Sequence, residues 1–351
     1  MIISKDTVAF QKCDENFVKK FGVKKATEMV LEYKSRCNLP FIYDTKQLAD
    51  FLKISEGNLF HTVRNINKMY HNITIPKRNG DERILTVPNE KLKYLQKYIL
   101  KNIIGKFQIS KYATAYYKGA TLFENAKPHI NKKYLLKIDL EDFFDTINFT
   151  MVYSSVYNRK YFPKQIGAIL TTFCCYEDTL PQGAPTSPAI SNLVMKNFDE
   201  YFGKWCSRHS FNYTRYCDDI TVSGNNNVYL AYVKANKALQ NMGFQINDNK
   251  THIITNGNCQ CVTGLTVNEK VTVSRNYKKK LRQEIYYYLK YGKDCIIHNN
   301  LKEYMCNGVP DEYSYICHLK GKINYVLSVE KGNKEFINAL NEINRSRLYW
   351  C

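Results

Sequence analysis

Phe211 to Gly224 reads FNYTRYCDDITVSG. Alternation of Phe211 and Tyr213, then Ile220 and Val222, predicts a half-buried antiparallel ribbon with Asp218 and Asp219 at or beside its turn. Adjacent acids repel, and a cation with a hard preference for oxygen, such as Mg²⁺, is the usual way to keep both ionised. A solvated loop tip has the same local pattern. The choice between them rests on the rest of the chain.

Just upstream lies LPQGAPTSP, Leu180 to Pro188. Pro181, Gly183 and Pro185 make a stiff loop, and Ser187 followed by Pro188 predicts a helix start with Ser187 as cap and Pro188 at the first helical position. Ile190, Leu193, Val194, Tyr201, Phe202 and Trp205 then mark one face. Such a loop can pose Gln182 and the backbone of Gly183 against a ligand. Further back, KYLLKIDLEDFFDTI, Lys133 to Ile147, is an apolar strand ending in Asp139, before a helix that Asn148 can cap. An acid at the end of a buried strand is costly unless paired or metal-bound, which makes Asp139 a third ligand beside the later pair. Glu141, Asp142 and Asp145 add negative charge, some of it simply favoured by a helix N-terminus.

Asn79-Gly80 predicts a hairpin with Lys77, Arg78 and Arg83 around its tip. Such a tip can close over a triphosphate, or merely keep an exposed hairpin soluble. A helix bearing Leu92, Leu95, Ile99 and Ile103 follows. Residues 13 to 70 read as a helical extension. There Thr45 and Ser55 are expected to cap two short helices, as plain packing or, less simply, as a DNA-reading pair. Beyond the ribbon, Ala231, Ala235, Ala238, Leu239 and Met242 form a helix stripe closed by Gly243. Lys250 falls in a turn between short strands. VTGLTV, Val262 to Val267, leads to a basic helix from Tyr277 to Tyr291. Its inward face is expected to be Leu281, Ile285 and Leu289, with Lys278, Lys279, Arg282 and Lys290 outward along a nucleic-acid backbone.

The chain has 351 residues with 51 Lys and Arg against 32 Asp and Glu, a net charge of +19. That balance points to an extended polyanion more than to a small metabolite. Its 28 Tyr offer stacking platforms between the basic side chains. Twelve Cys match no zinc spacing and read as buried hydrophobes in a reducing compartment. No apolar run suits a signal peptide or a bilayer span, so the expectation is a cytoplasmic protein with no membrane partner.

Asp139, LPQGAPTSP, Tyr216-Cys217-Asp218-Asp219 and the Gly243-Phe244…Asn247…Lys250 turn, in this order, resemble the palm motifs of reverse transcriptases across roughly residues 70 to 290. Asn125-Ala126-Lys127-Pro128-His129 and Val262-Thr263-Gly264 resemble the NAxxH and VTG sequences of the retron reverse transcriptases; Cys217 departs from their usual Ala. The resemblance implies an α+β right-hand polymerase of fingers, palm and thumb, with an antiparallel palm sheet. It divides the chain into a helical extension (1–70), fingers and palm (71–261) and an RNA-binding thumb (262–351). It implies Asp139, Asp218 and Asp219 as ligands of two Mg²⁺, and Lys250 beside the leaving group. Lys77 and Arg83 would meet the deoxynucleoside triphosphate, Phe144 would lie under its sugar, and Gln182 and Gly183 would border the nucleotide. Asn125, His129, Val262, Thr263 and Gly264, with Lys278, Lys279 and Arg282, would contact RNA. The implied partners are a structured non-coding RNA serving as primer and template, its branched DNA product, and an effector protein in anti-phage defence. A group II intron-like enzyme is an alternative, although the chain ends soon after the thumb. A catalytically silent RNA-binding scaffold and a template-independent polymerase are two more.

Overall fold

The computed structural model describes residues 15–76, 80, 82–299, 301–306 and 309–346. Its centre is a four-stranded antiparallel sheet of β3 (Tyr134–Ile138), β4 (Asn212–Tyr216), β5 (Asp219–Gly224) and β6 (His252–Thr255), in the order β4-β5-β3-β6. β4 and β5 form the expected ribbon, Tyr216 opposite Asp219, and β3 lies along β5 with Ile138 opposite Ile220.

The ribbon is not half-buried. Residues 220 to 224 of β5 are all buried, because side chains that alternate across a strand meet protein on both faces here. Ile220 and Val222, with Leu136 and Ile138 of β3, enter a large core shared with the surrounding helices. Leu135 points the other way, into a second core with Val262 and Leu265. The sheet is thus a wall between two hydrophobic compartments.

The first core also takes Leu48, Leu52 and Leu59 from the N-terminal helices Thr45–Leu52 and Glu56–Arg64, beside Leu92, Leu95 and Ile99 of the helix Glu90–Asn102. Those two helices therefore serve packing. Ser55 caps the second by accepting from the Asn58 amide at 3.2 Å. The first is capped by Asp44, which accepts from the Gln47 amide at 2.9 Å, and not by Thr45, whose hydroxyl turns to Glu56. A carboxylate one residue earlier supplies the better acceptor for the positive helix end.

β1 (Tyr70–Pro76) and β2 (Glu82–Pro88) form the fingers ribbon. The helix after LPQGAPTSP runs Ser187–Val194 and yields to a second, Lys196–Arg208. Thr186 already has helical dihedrals and makes no side-chain cap, so Ser187 is buried inside the first turn instead of capping it, and Pro188 comes second. Tyr201 is 51 % exposed, off the apolar face expected of it.

The C-terminal part has its own small sheet, β7 (Cys261–Val262), β8 (Leu265–Thr266) and β9 (Thr272–Val273), followed by the helices Arg275–Tyr291, Glu312–Val329 and Lys334–Ser346. On the first of these, Leu281, Ile285 and Tyr288 face the core, whereas Leu289 is 40 % exposed. Spacing of four then three follows the 3.6-residue turn more closely than two steps of four. No helix among the described residues is long and apolar enough to cross a membrane.

Candidate active site

Asp139 follows the last residue of β3, Asp218 is the tip of the β4–β5 turn, and Asp219 opens β5. All three line one cleft of about 810 Å³. Adjacent antiparallel strands ending at the same edge of the sheet bring them together, although Asp139 is far from the pair in sequence. Glu82, Arg83, Phe144, Gln182 and Lys250 line the same cleft, with Arg83 arriving on β2. Of the fingertip residues, Lys77 and Arg78 lie outside the described residues.

Lys250 donates to Asp139 Oδ2 at 3.0 Å, and the Asn247 amide donates to the Asp139 carbonyl at 2.9 Å. The Asp139 bond holds the Lys250 ammonium above its usual pKa range, which keeps it protonated. Asp219 is pushed upward by burial, then by Asp218 and Asp139, against the pull of Lys137 and Lys250. Accumulated negative charge and all-oxygen donors suit a hard divalent cation. Among the described residues, however, no three acidic, His or Cys side chains stand close enough together to form a finished metal cage. Asp139 is paired with Lys250.

The turn itself is held from behind. Cys217 takes a left-handed conformation, φ 62°, and the Arg215 guanidinium donates to its carbonyl at 2.8 Å. Arg215 and Asp199 are both fully buried, joined from Nε to Oδ1 at 2.8 Å and from Nη2 to Oδ2 at 2.7 Å. The Tyr213 hydroxyl donates to the same carboxylate at 2.7 Å, and Arg215 Nη2 reaches Asn192 Oδ1 at 3.2 Å. Burial works against the Arg215 charge, but Asp199 outweighs it and keeps the guanidinium ionised. On the cleft side, the Tyr116 hydroxyl donates to Cys217 Sγ at 2.9 Å. Burial and Asp218 push the Cys217 thiol up to about 12. The sequence reading passed over Arg215, Asp199 and Tyr116. For Arg215 and Asp199 the signal was a charge on an apolar face: Arg215 shares the inward side of β4 with Tyr213, and Asp199 lies between the buried Phe198 and Phe202.

Gly183 plays a different part from the expected one. Its amide donates to the Thr86 carbonyl of β2 at 3.1 Å, so that amide docks the fingers strand. The residues expected to contact RNA differ in exposure. Asn125, His129 and Val262 are 1 %, 0 % and 0 % exposed and meet protein, not solvent. Thr263 Oγ1 accepts from Asn125 Nδ2 at 3.3 Å. Lys278 and Arg282 are ion-paired to Glu330 and Glu335, while Gly264 and Lys279 are exposed.

Residues 75–290 match the family described as reverse transcriptase (RNA-dependent DNA polymerase). The chain belongs to that family, the class that a palm sheet with three acids facing a fingers ribbon defines. It is 29 % identical over 330 residues to the retron Ec86 reverse transcriptase of Escherichia coli, covering 92 % of this chain and 96 % of that protein. It is 30 % identical over 272 residues to the retron Ec83 reverse transcriptase of Escherichia coli, covering 73 % and 81 %. With the retron Mx65 reverse transcriptase of Myxococcus xanthus it shares 32 % over 273 residues, covering 71 % and 64 %. Among solved structures it is similar to telomerase from Candida albicans, with a TM-score of 0.44 and 13 % identity, covering 78 % of this chain and 54 % of that one. The protein is a reverse transcriptase of the retron type, an RNA-directed DNA polymerase.

Proposed function

We propose that the protein copies part of a dedicated structured RNA into DNA, with synthesis starting from a 2′-hydroxyl of that RNA so that the product stays joined to it as a branch. The convergence of Asp139, Asp218 and Asp219 on one cleft beneath Arg83 supports the polymerase chemistry. Kinship with retron reverse transcriptases supports the self-primed product, and extends the proposal to an effector partner in anti-phage defence.

Asp139, Asp218 and Asp219 are the residues that would hold magnesium. When bound, two such ions supply positive charge to the attacking and leaving oxygens of an in-line phosphoryl transfer. Arg83 offsets charge on the incoming triphosphate, and Lys250, protonated beside Asp139, donates to the departing pyrophosphate. Phe144, in edge contact with Phe143 at 5.3 Å between ring centroids, forms the floor beneath the sugar. The net charge of +19 neutralises phosphates along the bound RNA, so binding weakens as salt rises.

The test is to purify the protein from its host, extract the nucleic acid, and digest it separately with RNase and DNase. A short DNA joined to RNA through a debranching-sensitive bond is expected, and Asp218→Asn is expected to retain the RNA without attached DNA. An Asp218→Asn protein carrying the wild-type amount of DNA overturns the assignment of that carboxylate. RNA with no DNA on the wild-type protein favours the silent scaffold, and DNA with no RNA a template-independent enzyme.

A further inference from the structure

Asn125 to His129 and Val262 to Gly264, far apart in sequence, touch each other. Asn125 donates through Nδ2 to Thr263 Oγ1 at 3.3 Å and accepts at Oδ1 from the Thr114 hydroxyl at 2.8 Å. The Thr114 amide in turn donates to the Arg215 carbonyl at 2.8 Å, on the strand that leads to the catalytic turn. His129 is clasped between the same strands, Nε2 against Thr214 Oγ1 at 2.8 Å and Nδ1 against Ser223 Oγ at 2.7 Å. The Thr214 hydroxyl points its proton at the Asn125 carbonyl, 3.4 Å away. Both ring nitrogens of His129 are thus engaged by hydroxyls. Burial, with Lys132 adding, lowers its pKa to about 3, so it is a neutral connector.

The partner side is strained. Thr263 has φ 45° and Gly264 φ 83°, the left-handed pair that a two-residue hairpin between β7 and β8 requires. Glycine tolerates this, but a β-branched residue is disfavoured there and persists only when its surroundings hold it. The bond from Asn125 is that support. Close by, the Asn131 amide donates to the Val267 carbonyl at 3.0 Å, and Ala126 and Leu135 enter the same core as Val262 and Leu265.

We propose that these two motifs form one palm–thumb joint, in which Asn125, His129 and Thr263 are positioning residues that set the thumb's approach to the catalytic turn. The joint governs how long the enzyme holds a growing duplex, not the chemistry of a single addition. The inference needs only the polymerase activity and is independent of the self-primed reaction proposed above.

The test uses the full chain on a primed RNA template, with Asn125→Asp, Thr263→Val and the double variant. Asn125→Asp keeps an acceptor for Thr114 but removes the donor to Thr263. Two readouts are taken: the rate constant for adding one nucleotide, and product length per binding event under a trap. Each single variant is expected to shorten products about five- to tenfold while single addition stays within about threefold, and the double variant is expected to be no worse than the poorer single, since partners in one contact do not add. Thr263→Ser, which restores the hydroxyl, is expected to recover length. Additive losses overturn the joint. So does weaker RNA binding with unchanged product length, which makes these residues RNA contacts, and so does failure of Thr263→Ser to rescue a Thr263→Val protein that melts like wild type.

Discussion

Gly183→Ala isolates the contact that fixes the fingers over the palm. A methyl built on Gly183 falls 2.3 Å from Val87 Cγ1 and 2.5 Å from the Thr86 carbonyl oxygen. The Val87 side chain can move, but Thr86 is strand backbone, paired across the ribbon with Asn72. Relief therefore requires the ribbon to retreat, which breaks the 3.1 Å bond from the Gly183 amide to Thr86. A lost hydrogen bond costs about 1 kcal/mol and overpacking about 1–3 kcal/mol, so the docked state weakens by about 2–4 kcal/mol. Arg83 lies on the same strand, and a displacement of about 1 Å at a positioning group can cost about 100-fold in rate. Single-nucleotide insertion at varied triphosphate concentration is expected to show kcat/KM falling about 30- to 100-fold, mostly through KM, because Arg83 is moved and the palm acids are not. Val87→Ala added to Gly183→Ala is expected to recover little, since it clears the side chain and leaves the carbonyl. A Gly183→Ala enzyme with wild-type KM and wild-type melting would refute the reasoning.

If Phe144 is the proposed floor beneath the sugar, then in Phe144→Ala the preference for deoxy- over ribonucleotides, measured as a ratio of kcat/KM, is expected to fall at least about tenfold; an unchanged ratio removes Phe144 from that role. His129 carries an acid-sensitive share of stability. Its folded pKa of about 3 lies below the ordinary 6.5, so the unfolded chain takes up the proton first, and stability present above pH 6.5 is lost as pH falls toward 3. The slope is at most about 1.4 kcal/mol per pH unit, or about 2 kcal/mol by pH 5. Urea midpoints at pH 7.5 and pH 5 check this, and His129→Gln is expected to flatten the difference; parallel profiles count against it. Arg215→Met leaves the Asp199 carboxylate buried with half its partners gone, at about 3–5 kcal/mol by urea unfolding, and adding Asp199→Leu is expected to return much of that. Equal loss in both variants argues that packing, and not charge, is what Arg215 supplies.

The ribbon, the strand ending in Asp139, the fingers hairpin and most helices were legible because each depends on local alternation or a cap. What failed locally failed by competition between neighbours. Asp44 displaced Thr45 as cap, Tyr288 displaced Leu289 from the core, and Thr186 took the helical dihedrals that denied Ser187 its place. In the site, the three acids were legible as types whose burial needs a counter-charge. Lys250 was placed in the motif, but its bond to Asp139, 111 residues away, was not readable from spacing.

The same distance hid the contact between the two motifs. Asn125 and Thr263 are 138 residues apart, and Arg215 lies 101 residues from Thr114. A polar residue repeated at a fixed place looks, in sequence, like a surface contact with a ligand. Whether its partner is RNA or another part of the chain is decided by burial, and burial is settled only when the sheet closes on both faces. An Asn at 1 % exposure with a threonine at each end of its amide is turned toward protein. On the proposed joint, Asn125 acts on RNA through Thr263 and the segment that Thr263 belongs to, and the product-length assay separates that from direct contact.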